Sequence, residues 1–146
     1  MPAPVTTPSG TDGRDDEDRL VADVFARNCD SRRTLENIAG KWGILALAAL
    51  HDGAYRFNAL RRRVDGVSEK MLAQTLQALE RDGLVRRDVQ TTIPPHVEYS
   101  LTPLGARVAE RLIGLIELVE GELGTVLTAQ AAYDRATKAS KKQKTA

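Results

Sequence analysis

Apolar positions recur at helical spacing through most of the chain and switch to alternation over one short stretch. From Ser31 to Leu50 they fall at Leu35, Ile38, Trp42, Leu45 and Ala49, with Ile44, Leu47 and Ala48 widening the stripe. That spacing predicts one largely buried helix capped by Ser31 and stopped near Gly53. A shorter helix is expected over Arg56–Val64, with Phe57, Leu60 and Val64 on one face. Asp65-Gly66 is a turn dipeptide, and Ser68 follows as the N-cap of a helix ending at Gly83. Its inward stripe is Leu72, Leu76 and Leu79. The period then becomes two, over Leu84–Val89 and again over His96–Leu101, which predicts two strands. Gln90–Pro95 lies between them as an exposed tip, because paired prolines cannot donate to a strand ladder. Thr102 and Pro103 open the last long helix as N-cap and first helical residue. Val108, Leu112, Leu115, Ile116, Val119 and Leu123 give that helix a broad apolar stripe. A frayed helix and a basic tail are expected beyond Thr128.

This order predicts a mainly α fold with a two-stranded β-wing, a winged helix-turn-helix. The expected organisation has three parts: a disordered acidic extension over 1–18, a DNA-binding and dimerisation domain over 19–128, and a basic tail over 129–146. Residues 1–18 are rich in Pro, Thr, Ser, Gly and Asp and hold too little apolar surface to offset their ordering entropy. Leu20–Phe25 suits a short helix. The apolar stripe of the last helix exceeds what one small domain needs to cover, which predicts a homodimer.

Charge sharpens the picture. The formal net charge is +1, yet residues 1–24 carry −4 and residues 135–146 carry +5, so the body is balanced. Within that body the bases from Arg56 to Arg87 exceed the acids by four, on the elements that would face DNA. The helix from Ser68 is then the recognition helix. Opposite its leucine stripe lie Lys70, Gln74, Gln77 and Arg81, with Ala73 at the margin and Ser68 and Glu69 in the first turn. Gln can pair with adenine and Lys with guanine or phosphate, while Ser68 and the first-turn N–H groups suit phosphate. Arg56, Arg62 and Arg63 are candidate phosphate contacts, and Thr91 and Thr92 candidate contacts of the wing tip.

Other classes fare poorly. One cysteine, Cys29, excludes an internal disulfide and a multi-thiolate zinc site. His51 and His96 are the only histidines, and neither neighbours a serine or Cys29 in sequence. No phosphate-binding glycine loop occurs, so no enzyme, cofactor or metal is expected. No apolar run approaches the roughly 20 residues of a membrane span, and the N-terminus is not a secretory signal. A cytoplasmic protein is expected.

Five motifs occur in order: Cys29; Gly40-Lys41-Trp42; Arg56–Leu60 (RFNAL); Val67–Arg87 (VSEKMLAQTLQALERDGLVRR); and Pro94–Gly105 (PPHVEYSLTPLG). Together they resemble the HxlR family of bacterial winged helix-turn-helix regulators, from about Cys29 to Leu118. The resemblance implies a homodimeric transcription factor, joined through the N-terminal segment and the last helix. It implies that Val67–Gly83 reads the major groove and that the Thr91–Pro95 tip touches the adjacent minor groove. A two-fold dimer would bind an inverted-repeat operator. The acidic N-terminus and the lysine-rich C-terminus are not part of the family pattern.

Two regulatory inputs are open. Cys29 sits ahead of the first core helix, where some HxlR-like regulators carry a cysteine. Arg27, Arg32, Arg33 and the helix start beside it favour a thiolate, and Asp30 opposes. It is the candidate redox or electrophile sensor, or else a structural residue. The alternative is a small-molecule inducer in an apolar pocket near the dimer interface lined by Trp42, Tyr55, Phe57, Tyr99 and Tyr133, or in a third reading a protein-interaction scaffold that does not bind DNA.

Overall fold

The computed structural model describes residues 23–27 and 29–145, so the expected acidic extension over 1–18 lies outside the described residues. Of the short helix expected at Leu20–Phe25, the described part, Asp23–Phe25, is a 3-10 turn. It leads to α1 (Asp30–Ala39) and α2 (Lys41–Leu50). The single helix expected over Ser31–Leu50 is therefore two. Gly40 breaks it, with φ −59° and ψ 155°. Gly43 explains why the break is tight: a Cβ there would run into the Asn37 carbonyl, so α2 folds back hard against the end of α1. α2 supplies the buried residues Ala46, Leu47, Ala49 and Leu50, α1 packs on the core through half-buried Ile38, and Leu35 and Leu45 of the expected stripe are exposed. Cys29, not Ser31, is the N-cap of α1.

A strand that the sequence pattern hides follows. β1 (Tyr55–Arg56) is two residues long, too short to show a period. It leads directly into α3 (Phe57–Arg63). The next turn carries Gly66 at φ +90° and buries Val67 against the core. Then α4 (Glu69–Arg81) begins, with Ser68 as its N-cap accepting from the Met71 N–H at 3.1 Å.

The wing is β2 (Val85–Gln90) and β3 (His96–Leu101), antiparallel, with Arg87 opposite Tyr99 and Gln90 opposite His96. β1 adds to the far side of β3, Tyr55 opposite Tyr99, giving a three-stranded sheet in the order β1-β3-β2. The last long helix, α5 (Pro103–Gly121), starts on the wing's base. The Thr102 hydroxyl accepts from the Gly105 N–H at 3.0 Å and donates to the Gly83 carbonyl at 2.6 Å. Gly105 is required there, because a Cβ would collide with the Leu84 carbonyl.

Six fully buried leucines centre the core: Leu47, Leu60, Leu72, Leu76, Leu79 and Leu84. They join α2, α3, α4 and the start of the wing, so the inner face of α4 is fixed and its outer face is left to solvent. Burying each side chain is worth about 1.5–3 kcal/mol. α6 (Leu123–Thr145) continues where a frayed end and tail were expected. Helical bonding runs through the junction, from the Glu122 N–H to the Leu118 carbonyl and from the Val126 N–H to the Glu122 carbonyl. Ala129, Ala131, Ala132, Ala136 and Ala139 favour helix strongly, and no Gly or Pro follows Gly124 to stop it.

Candidate nucleic-acid interface

The packing of Leu72, Leu76 and Leu79 dictates which side chains of α4 face outward. Lys70, Ala73, Gln74, Gln77 and Arg81 are all exposed on the opposite side. Ser68 spends its oxygen on the cap and keeps its hydroxyl hydrogen for an acceptor such as a phosphate. Glu69 has a more specific task. Its Oε1 lies 2.7 Å from Arg61 Nη1, so it ties the first turn of α4 to the end of α3. That geometry engages Glu69 within the protein and brings in Arg61, which the sequence pattern did not single out as a contact. The pair is largely exposed and is worth well under 1 kcal/mol in stability.

Arg62 and Arg63 are exposed in the last turn of α3, where positive charge also suits the helix dipole. Arg56 is the exposed N-cap of the same helix. On the other flank, Arg87 of β2 shares a cavity of about 310 Å³ with Ala73, Gln77 and Glu80 of α4. The structure thus joins the wing's base to the outer face of α4. Arg86 and Arg87 stood in the charge balance but not among the candidate contacts. The shared cavity places Arg87 beside α4, whereas Arg86, its neighbour in the strand, belongs to the opposite face of the sheet. Arg81 stands apart: it lies about 16 Å along α4 from Lys70 and lines a groove with Asp30, Arg33 and Asn37 of α1.

The wing tip projects freely. Thr91, Thr92, Ile93, Pro94 and Pro95 are exposed, Ile93 at 99%. The Thr92 hydroxyl is engaged within the tip, 3.3 Å from the Pro94 carbonyl and 3.2 Å from His96 Nδ1. Thr91 and Ile93 therefore present the outermost surface.

Cys29 is half-buried, with its Sγ 2.9 Å from the Ser31 hydroxyl and its N–H on the Ala26 carbonyl at 3.2 Å. From the far end of α1 the Asn37 amide donates to Asp82 Oδ2 at 2.9 Å, at the C-cap of α4. α1 thus connects the cysteine to the recognition helix. Within one copy the residues expected to line an aromatic pocket do not all lie together. Phe57 and Tyr99 pack on each other in the core at 6.3 Å between ring centroids, Tyr55 sits beside Tyr99 in the sheet, and Tyr133 is 72% exposed on α6. Trp42 lines a different groove, against α4. Among the described residues no cluster of three or more His, Cys, Asp or Glu side chains could hold a metal, and no helix is long and apolar enough to cross a membrane.

Comparison with known proteins agrees with this geometry. The HxlR-like helix-turn-helix family model matches residues 37–125. YtfH of Escherichia coli (strain K12), described as an uncharacterized HTH-type transcriptional regulator, is 52% identical over 104 residues, covering 71% of this chain and 82% of its own. The solved structure of ytfH from Salmonella typhimurium, a chain described as a transcriptional regulator, superposes with a TM-score of 0.70 at 50% identity, covering 73% of this chain and 96% of that one. The redox regulator HypR in its reduced form gives a TM-score of 0.62 at 35% identity, covering 67% and 97%. With a matching family model over most of the folded body and α4 held outward beside the wing, the chain belongs to the HxlR-like family of helix-turn-helix, DNA-binding transcriptional regulators.

Proposed function

We propose that the protein is a homodimeric, sequence-specific repressor that binds an inverted-repeat operator and loses it when Cys29 is oxidised. The observation that carries the first part is the outer face of α4. Lys70, Gln74 and Gln77 stand exposed on a helix whose other side is locked by three buried leucines, with Arg62 and Arg63 exposed on the preceding helix and Arg87 beside it on β2. Gln74 and Gln77 are the base-reading side chains, the arginines hold phosphates, and Thr91 and Thr92 bring the wing tip to the adjacent groove.

Dimerisation is supported by apolar surface that the fold leaves uncovered. Leu115, Leu118 and Val119 of α5 are exposed, Leu118 at 62%, and so are Phe25 and Leu35 near α1. Exposed apolar side chains clustered on one helix, as on α5, suit an interface. A second copy docked on α1 and α5 presents two α4 helices about one DNA turn apart.

The switch rests on the position of Cys29 at the head of α1 and on the likeness to HypR, which is known in oxidised and reduced forms. With a single cysteine per chain, a thiolate that loses two electrons to a peroxide becomes a sulfenic acid, which condenses with a second thiol and releases water. That thiol is a small-molecule thiol or the second copy's cysteine.

Enrichment of bound fragments from random duplex DNA tests the reading. The expected product is an inverted repeat with half-sites one helical turn apart, bound by the wild type and released on oxidation, while Cys29→Ser binds alike with and without oxidant. Enrichment of no common sequence would refute sequence-specific reading. An equal oxidant response in wild type and Cys29→Ser would return Cys29 to a structural role.

A further inference from the structure

We propose that the groove between the α1–α2 hinge and α4 binds a small planar aromatic anion, and that its occupant competes with DNA. The groove has a volume of about 380 Å³ and lies at the opposite end of α1 from Cys29, so it is a second input to the same regulator. Organic ligand sites start at about 300 Å³ and combine an apolar lining with a few placed polar groups. Here the apolar surface comes from Trp42, Met71 and Ala78, and the polar groups from Lys41, Gln74 and Thr75.

Charge at the rim selects the ligand's sign. Glu36 is the groove's carboxylate, and Arg32 holds it at 3.2 Å. Asn37 has already given an amide hydrogen to Asp82. Lys41 pairs with no carboxylate among the described ion pairs; its ammonium stands 4.7 Å from the centre of the Trp42 ring. An ammonium in that place attracts a carboxylate, while the Trp42 indole and the Met71 sulfur favour a flat aromatic ring beside them. A one- or two-ring aromatic carboxylate meets both demands.

The coupling to DNA follows from Gln74, which lines the groove and also belongs to the outer face of α4. A ligand that holds or blocks this side chain removes it from a base edge. This coupling rests on the DNA-reading role of α4, whereas the binding site itself does not.

The probe is 2-naphthoate, titrated into the full chain and followed through the Trp42 indole N–H signal by NMR, since Trp42 is the chain's single tryptophan. The expected result is a saturable shift of that signal. Lys41→Gln and the uncharged naphthalene-2-methanol should each weaken binding about fivefold, and Lys41→Arg should restore it. Saturating 2-naphthoate should also lower affinity for enriched operator DNA. An indole signal unmoved at about 5 mM ligand overturns the site. Equal binding by wild type and Lys41→Gln overturns the assigned chemistry. Binding in the groove with unchanged operator affinity overturns the competition. A protein that takes naphthoate but selects no DNA leaves the site standing and removes the regulator reading instead.

Discussion

Thr102 is the most informative single position in the scaffold, because one hydroxyl joins the recognition half of the fold to the long helix. Its oxygen caps α5 at the Gly105 N–H, and its hydrogen goes to the Gly83 carbonyl at the end of the α4–β2 turn. The Thr102 N–H also donates to the Leu84 carbonyl at 3.1 Å, and that bond survives any side-chain change. Thr102→Val keeps the shape and β-branching and removes both hydroxyl bonds. Loss of an N-cap costs about 1 kcal/mol. The second bond adds about 1 kcal/mol where water cannot replace it. Gly83 is exposed and water replaces part of that bond, so the expected loss is about 1.5 kcal/mol. For a domain of this length, that lowers the melting temperature by about 6 °C, read by far-UV circular dichroism. Thr102→Ser keeps the hydroxyl and should recover most of the loss. A valine variant within about 0.5 kcal/mol of wild type, or a serine variant as unstable as the valine one, would refute the dual role.

Gln74→Ala should lose about 1–3 kcal/mol of discrimination between operator and scrambled DNA with little change in non-specific affinity; equal discrimination would take Gln74 out of the reading set. Arg62→Ala and Arg63→Ala should weaken all DNA alike and reduce the salt slope by about 0.9 for each phosphate that is no longer neutralised, checked by titrations at several salt concentrations. Leu76→Ala opens a cavity beneath α4 and should cost about 2–5 kcal/mol in urea unfolding, because Leu76 is fully buried. Leu118→Glu leaves the monomer core untouched and should convert a dimer to a monomer in sedimentation equilibrium.

The body of the fold was legible because its signals are local. Ser68 and Thr102 are caps followed by clear helical stripes, and the switch from period three-to-four to period two marks the wing unmistakably. The outer face of α4 follows from the same stripe, since three buried leucines fix everything opposite them. What the sequence hid was non-local. The apolar stripe runs across Gly40 and Gly43 as though through one helix, and only the approach of two backbones shows why the helix divides there. β1 exists because Tyr55 finds Tyr99 across the sheet, not because two residues carry a pattern. Glu69 reads as a first-turn polar residue until the structure sets it against Arg61, and Arg87 reads as wing charge until β2 lies beside Gln77. The aromatic residues do not all lie together within one copy for a related reason: composition names them without saying which the core consumes.

The central claim is that the outer face of α4 and the wing read DNA sequence. Fluorescence anisotropy of the full chain on DNA from its own upstream region, against a scrambled duplex at two salt concentrations, tests it most directly. The account predicts tighter binding to the upstream DNA at both salts, with the preference reduced in Gln74→Ala and retained in Arg62→Ala. Equal affinity for both duplexes, or a preference that Gln74→Ala leaves intact and Arg62→Ala abolishes, would contradict it.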